Sequence, residues 1–118
     1  MSWNIELYET GGGRIPVKEF LDSLPIKHKT KAQFVIDLLA EHGPLLKEPF
    51  TKHLSGTKLK ELRIQASPNI YRIFYFAYIE KKFVLLHAFT KKTEQTPRRE
   101  IEVAENRIND YIRRQNHE

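Results

Sequence analysis

Residues 59–76 read LKELRIQASPNIYRIFYF and contain two runs of β-branched, aromatic and alternating side chains. Alternation of apolar and polar residues over such short runs is typical of strands. Ser67-Pro68-Asn69 separates the runs and has turn chemistry, because proline fixes φ and asparagine tolerates left-handed backbone. The stretch therefore predicts two consecutive strands, 59–66 and 70–76, joined by a tight turn.

Each of these strands carries one arginine near its middle, Arg63 in the first and Arg72 in the second. A merely structural strand more often has Thr, Val or an aromatic residue there. Two guanidinium groups on adjacent strands form a permanently charged clamp that suits phosphate. Aligning the arginines predicts an open face of the sheet that also bears Glu61 and Gln65.

Two further readings of this face remain open. Phe74 and Phe76 share the face of Arg72 and are available either for stacking on bases or for packing under the last helix, which we favour. Arg63 has a structural alternative as well, namely an ion pair with a carboxylate such as Glu61 or Glu102.

The rest of the chain predicts an α+β fold in one domain, residues 1–118, with the order β-α-α-β-β-β-α. Thr96 and Pro97 fit the N-cap and first turn of the last helix. We expect an antiparallel sheet, the two N-terminal helices on one face, and a C-terminal helix. The elements outside the pair of arginine strands are a strand at 3–8, helices at 16–24 and 27–42, a strand at 82–89 and a helix from Thr96.

Composition limits the chemistry. The chain has no cysteine, which excludes disulfides, thiolate zinc sites and cysteine catalysis. The five histidines show no pair at metal-ligand spacing, so we expect neither a metal nor another cofactor. No apolar run approaches the length of a membrane span, and the N-terminus lacks signal-peptide features, so the sequence predicts a cytoplasmic protein without a membrane partner.

The net charge of +5 is concentrated in part of the chain. Residues 47–72 contribute +4 and residues 91–99 contribute +3, whereas residues 1–46 contribute −1. A concentrated basic zone on a small domain is the electrostatic footprint of a polyanion partner. The alternative is a solvated surface with more lysine than glutamate, but local patches are stronger signals than overall charge.

The order of elements, together with three motifs, resembles the RelE/HigB-type toxins of bacterial toxin–antitoxin systems, in their phage-derived subgroup. The resemblance covers nearly the whole chain, and it implies a RelE/ParE-like fold. It also implies a ribosome-dependent endoribonuclease that cuts mRNA and is held inactive by a cognate helix-turn-helix antitoxin. The motifs are KELR at 60–63, YRIFY at 71–75 and LHAFTKKTEQTP at 86–97.

The same resemblance implies roles for individual side chains. Cleavage would proceed by attack of the 2′-hydroxyl on the adjacent phosphate, which needs a base, an acid and positive charge but no metal. In that family, certain basic positions would hold the phosphate or supply the acid. The corresponding residues of this chain are Arg63, Arg72, Lys91 and Lys92. Lysines that would grip ribosomal RNA are Lys52, Lys58 and Lys60.

The acid and base are not singled out by sequence. The candidates are Glu61, which would otherwise balance Arg63, together with His53 in a loop and His87 on the last strand. By alternation, His87 shares a face with Phe83, Leu85 and Phe89, which favours a hydrogen-bonded core histidine over a catalytic one.

Two other classes of function stay open. A toxin of the same fold that binds a protein target such as gyrase would need no catalytic pair. An inactive module that binds RNA or the antitoxin would keep only the basic surface. The four residues Arg63, Arg72, Lys91 and Lys92 favour the nuclease.

Overall fold

A computed structural model describes residues 2–79 and 81–116, and it shows three helices around a five-stranded sheet. A single 3₁₀ turn, Gly43–Leu45, follows the second helix. None of the helices described here is long and apolar enough to cross a membrane. The elements are β1 (Asn4–Leu7), α1 (Pro16–Asp22), α2 (Ile26–His42), β2 (Thr51–His53), β3 (Lys60–Ala66), β4 (Asn69–Tyr78), β5 (Lys82–Thr90) and α3 (Arg98–Gln115).

The strands β3 and β4 pair antiparallel and confirm the predicted pair, with Arg63 directly opposite Arg72. The prediction of an antiparallel sheet was wrong at one edge, because β1 runs parallel to β5. The strand order is β1-β5-β4-β3-β2. After β1, the chain crosses over through α1 and α2 to the far edge and returns strand by strand, so β5 ends in the same direction as β1.

The sequence prediction also missed the edge strand β2, Thr51–His53. It is only three residues long and pairs with β3, placing Lys52 opposite Glu61. Such a short polar segment has no apolar alternation that would distinguish it from a loop. Its effect is to bring the basic segment before β3 alongside the arginine strands.

Apolar residues on both faces of the sheet hold the helices in place, in the predicted α+β arrangement. On one face, α1 and α2 pack through Val17, Val35 and Leu39 against strand residues that include Ile64 and Ile73. On the other, α3 covers a second cluster of buried side chains. Phe74 and Phe76 belong to this second cluster, so they are core residues as favoured above. The members of this second cluster that come from the strands and from α3 include Phe74, Phe76, Val84, Leu86, Ala104, Ile108 and Tyr111.

A bulge interrupts the alternation of β5. The partners of Phe74 and Tyr75 are His87 and Leu85, so Leu86 is an extra residue on β5. A bulge of this kind reverses the facing of the side chains that follow it. The expectation that Phe83 and Leu85 share the face of His87 was therefore wrong. Those two side chains pack toward α1 and α2, whereas His87 lies on the α3 side.

Polar contacts also fix α3 on the sheet. The Tyr8 hydroxyl donates to Asp110 at 2.5 Å, and the Arg107 guanidinium donates to the Leu86 carbonyl at 2.9 Å. The helix begins at Arg98 with Pro97 as N-cap and no side-chain cap. Thr96 was thus wrongly predicted as the N-cap, because its hydroxyl donates instead to Glu61 Oε1 at 3.3 Å.

Candidate functional site

The two arginines share a face of the sheet but differ in exposure. Arg63 lies on β3 and is exposed, whereas Arg72 on the central strand β4 retains only 4 % of its accessible surface. The expectation that both lie on an open face was therefore wrong for Arg72. A central strand has neighbours on both sides, and here the segment after β5 and the loop before β2 also approach it. One arginine is anchored and the other faces solvent.

Arg72 is held by a buried carboxylate. Its Nε lies 3.0 Å from Oε2 of Glu61, which is itself 4 % exposed. The alternative expectation, an ion pair of Arg63 with Glu61 or Glu102, was therefore wrong. Glu61 pairs with Arg72, and Glu102 pairs with Arg98 at 3.3 Å. Burial lowers the pKa of the Arg72 guanidinium, and the charge of Glu61 opposes that effect.

The ion pair does not use the donors of Arg72 fully. Although Nε approaches Glu61 closely, the contact lacks hydrogen-bond alignment, and neither Nε nor Nη1 has a hydrogen-bond partner within residues 2–79 and 81–116. Buried donors are normally paired, and leaving them unpaired costs about 1–3 kcal/mol each. Both atoms are shielded from solvent, so they do not themselves face a ligand, but Arg72 also lines a cleft, where its positive charge favours an anion.

A cleft of about 240 Å³ opens above Arg72, and we call it the cationic cleft. It adjoins a second concavity of about 480 Å³ that shares Arg63, Arg72 and Lys91 and adds one lysine and one acidic residue, Lys92 and Glu94. The cleft itself has four cationic and two anionic side chains, so an anion is favoured there. Its lining residues are Glu48, Pro49, Thr51, Lys52, Glu61, Arg63, Arg72 and Lys91.

Lys91 follows β5 directly and is held by its backbone, whose N–H donates to the Ile70 carbonyl at 2.8 Å. Burial lowers the pKa of its ammonium group, and the positive charges of Arg72, Lys52 and Arg63 lower it further, against the opposing effect of Glu61. A lysine with a lowered pKa gives up its proton more readily. Lys92 is exposed and lines only the larger concavity.

The three lysines expected to grip ribosomal RNA do not form one surface. Lys52 lies opposite Glu61 and lines the cationic cleft. Lys60 and His53 are cross-strand partners next to that pair, and together with Lys52 they line a different concavity of about 620 Å³ at the β2 edge. Lys58 lies at a separate concavity between the 56–58 turn and α3. Only Lys52 is close enough to join Arg63 and Arg72.

The candidate bases are also separated by the fold. His53 is exposed, and its Nε2 lies 3.0 Å from the Thr57 carbonyl oxygen. His87 is mostly buried, with Nε2 at 2.7 Å from Glu100 and Nδ1 at 3.3 Å from an Arg107 donor. Burial lowers the pKa of His87, so the imidazole is neutral and anchors α3 to β5. The buried Phe74 lies between His87 and Glu61 in the same cross-sheet row.

Glu48 is a lining residue that the sequence prediction missed. Its carboxylate lies at the cleft, is exposed, and makes no hydrogen bond or ion pair with the residues that the structure describes. The one signal for a role of Glu48 in the site was its position in an otherwise basic segment, between Lys47 and Lys52. Across that same part of the chain, no group of three His, Asp or Glu side chains is arranged to hold a metal ion.

Comparison with known families identifies the chain more closely. Residues 19–109, more than three quarters of its length, match the family described as phage derived protein Gp49-like (DUF891). That segment includes every residue that lines the cationic cleft. No curated protein matches the sequence. The chain thus belongs to the phage-derived Gp49-like family, which is in general a family of toxin-like proteins.

Proposed function

We propose that this protein is the toxin of a toxin–antitoxin system of RelE/HigB type and acts as a ribosome-dependent, metal-independent mRNA endoribonuclease. The observation that carries the proposal is the grouping of Arg72, a guanidinium fixed by burial, with Arg63 and Lys91 at one cleft. Fixed positive charges of this kind stabilise the extra negative charge of a pentavalent phosphate without reorganising during the reaction. Membership of a toxin-like family supports the same reading.

Different side chains of the cleft serve the different steps of the reaction. A base removes the proton of the 2′-hydroxyl, and the 2′-oxygen attacks its own phosphorus. The bond from phosphorus to the 5′-oxygen then breaks, and an acid protonates that oxygen. The products are a 2′,3′-cyclic phosphate and a 5′-hydroxyl. Arg72 and Arg63 bind the phosphate oxygens from below and from the solvent side, respectively.

Lys91 is the general acid in this scheme. It lies in the cleft with both arginines, and its lowered pKa favours proton donation to the departing oxygen. An ammonium group there also adds positive charge while the phosphate is pentavalent. Lys92 is exposed and contributes attraction for the RNA backbone rather than proton transfer.

Glu48 is the general base. Of the two carboxylates in the cleft, Glu61 is committed to Arg72 and accepts from Thr96, whereas Glu48 is exposed and unengaged among the described residues. His87 is held neutral under α3, and His53 lines the neighbouring concavity but not the cationic cleft. A carboxylate at the edge of the cleft can reach a 2′-hydroxyl once RNA is bound.

The ribosome supplies what the small cleft lacks, namely a fixed mRNA path. Lys58 and Lys60 lie outside the cleft, so they are available to contact ribosomal RNA while the cleft holds one phosphate. A cognate helix-turn-helix antitoxin would neutralise the protein by covering the cleft. Electrostatic attraction alone would give little sequence preference.

Expression in a bacterial host tests the proposal. We expect growth arrest with cuts in translated mRNA, and we expect Arg63→Ala to abolish both, because it removes an exposed phosphate ligand without disturbing the core. Lys27→Ala is a matched control, because it removes an exposed cation on α2 that does not line the cleft, and it should leave both effects intact. Intact transcripts accompanied by gyrase-linked DNA damage would reject the nuclease in favour of a protein target.

A further inference from the structure

An amine and an anion site lie next to each other in the cationic cleft. Arg63, Arg72 and Lys91 line both the 240 Å³ cleft and the adjoining 480 Å³ concavity. Arg72 brings a positive charge fixed by burial, and Arg63 brings an exposed guanidinium. A small molecule whose phosphate binds the arginines therefore has its other end within reach of the Lys91 side chain.

We infer that Lys91 is an acylation site for acyl phosphates, whose phosphate group binds Arg63 and Arg72 while the lysine amine receives the acyl group. The proposal goes beyond RNA cleavage, because it needs only a cleft that binds phosphate. It would hold even if the protein cut no RNA, and it would fail if the cleft bound no anion.

The surroundings of Lys91 favour the reactive form of its amine. Desolvation and the positive charges of Arg72, Lys52 and Arg63 all disfavour the ammonium form, whereas Glu61 alone favours it, so the pKa is lowered. A larger fraction of the side chain is then neutral amine at neutral pH, and only the neutral amine attacks a carbonyl carbon. Lys91 is only partly buried, which leaves room for a reagent.

The reaction is balanced without a further reagent. The Lys91 nitrogen forms a bond to the acyl carbon, and the bond between that carbon and the phosphate oxygen breaks. Inorganic phosphate leaves with the bonding electrons and takes up the proton that the nitrogen loses. The two arginines stabilise this leaving group as its charge develops. The product is a neutral amide, so the cleft loses one positive charge and its proton donor.

Incubation of the full-length protein with acetyl phosphate, followed by mass spectrometry of its peptides, tests the inference. Lys92 is the internal control, because it is adjacent in sequence and more exposed. One charge-assisted hydrogen bond to the phosphate is enough for a preference of about tenfold for Lys91 over Lys92. Acetic anhydride, which has no phosphate, should show a smaller preference, and added inorganic phosphate should suppress only the reaction with acetyl phosphate.

Two variants decide between recognition and mere reactivity. Arg63→Gln removes an exposed charge and should fold normally, which circular dichroism checks; it should reduce acetylation of Lys91 by acetyl phosphate but not by the anhydride. Lys91→Arg should remove the modified peptide while Lys92 still reacts. Equal Lys91 to Lys92 ratios with the two reagents, or no effect of Arg63→Gln, would overturn the inference.

Discussion

Arg63 and Arg72 are direct cross-strand partners on β3 and β4, yet Arg63 is exposed whereas Arg72 is 4 % exposed and ion-paired to Glu61. The same residue type thus has two different tasks within one pair. Arg72 supports the fold as well as the cleft, while Arg63 serves the cleft alone. Substitutions at the two positions should therefore separate stability from activity.

Arg72→Ala should lower the free energy of unfolding by about 3–5 kcal/mol, because it leaves the Glu61 carboxylate buried without its partner. Arg63→Ala should change the same quantity by no more than about 0.5 kcal/mol, since its side chain is exposed. Urea unfolding of the two variants measures both. Equal stability of the two would mean that the buried ion pair contributes nothing.

Under the proposed mechanism, activity should fall as the pH rises toward the alkaline range, because Lys91 would have to be protonated to act as the general acid. Its pKa is lowered from the ordinary 10.5, mainly by burial, so the fall should begin at a lower pH than an ordinary lysine would give. Lys91→Arg keeps the charge but holds its proton, and should reduce the rate by about 10²–10⁴-fold. A pH profile of initial rates tests this, and an unchanged alkaline fall in Lys91→Arg would exclude Lys91 as the acid.

His87 should affect stability rather than catalysis. Its pKa is lowered below 6.5, chiefly by burial, so as the pH falls below 6.5 the unfolded chain takes up a proton that the folded protein does not. The stability from this group is complete above pH 6.5 and is lost as the pH falls toward the folded pKa. His87→Gln should flatten that part of the stability curve while cleavage stays within a few-fold. Loss of cleavage in a folded variant would show a catalytic role.

The antitoxin of the proposed system should leave α3 packed on the sheet when it binds. Ala104, Ile108 and Tyr111 are buried against the sheet, and Asp110 and Arg107 are hydrogen-bonded to other elements. Displacing the helix would expose all of these contacts, so covering residues 91–99 is the less costly route. Hydrogen exchange should show new protection there with α3 equally protected in both states. Loss of protection along α3 in the complex would indicate displacement instead.

Local patterns predicted the elements that bury apolar side chains. The alternation around Leu62 and Ile73 predicted the strands that carry the arginines, and the stripe of Ala104 and Ile108 predicted α3. Those signals are local because one face of each element is buried. The short β2 and the parallel pairing of β1 depend instead on the path of the whole chain, which no local pattern encodes.

The site was predictable only in part, for a related reason. Arg63, Arg72 and Lys91 were recognisable as basic residues on or beside strands, and the fold brings them together. The burial of Arg72 depends on neighbours distant in sequence, including Glu61 and the segment around Thr96. Glu48 joins the cleft only because β2 pairs with β3. The bulge at Leu86 turns His87 toward α3, and the alternation of side chains along β5 did not predict it.

Cleavage of mRNA on purified ribosomes tests the central claim most directly. A single mRNA held in a translating complex is incubated with the protein, and the chemistry of both new ends is determined. We expect cuts only when ribosomes are present, with 2′,3′-cyclic phosphate and 5′-hydroxyl ends, undiminished by chelation of divalent ions after complex assembly. Arg63→Ala should slow the cuts by at least about 10²-fold. Intact mRNA in the presence of the folded wild-type protein and active ribosomes would contradict the account.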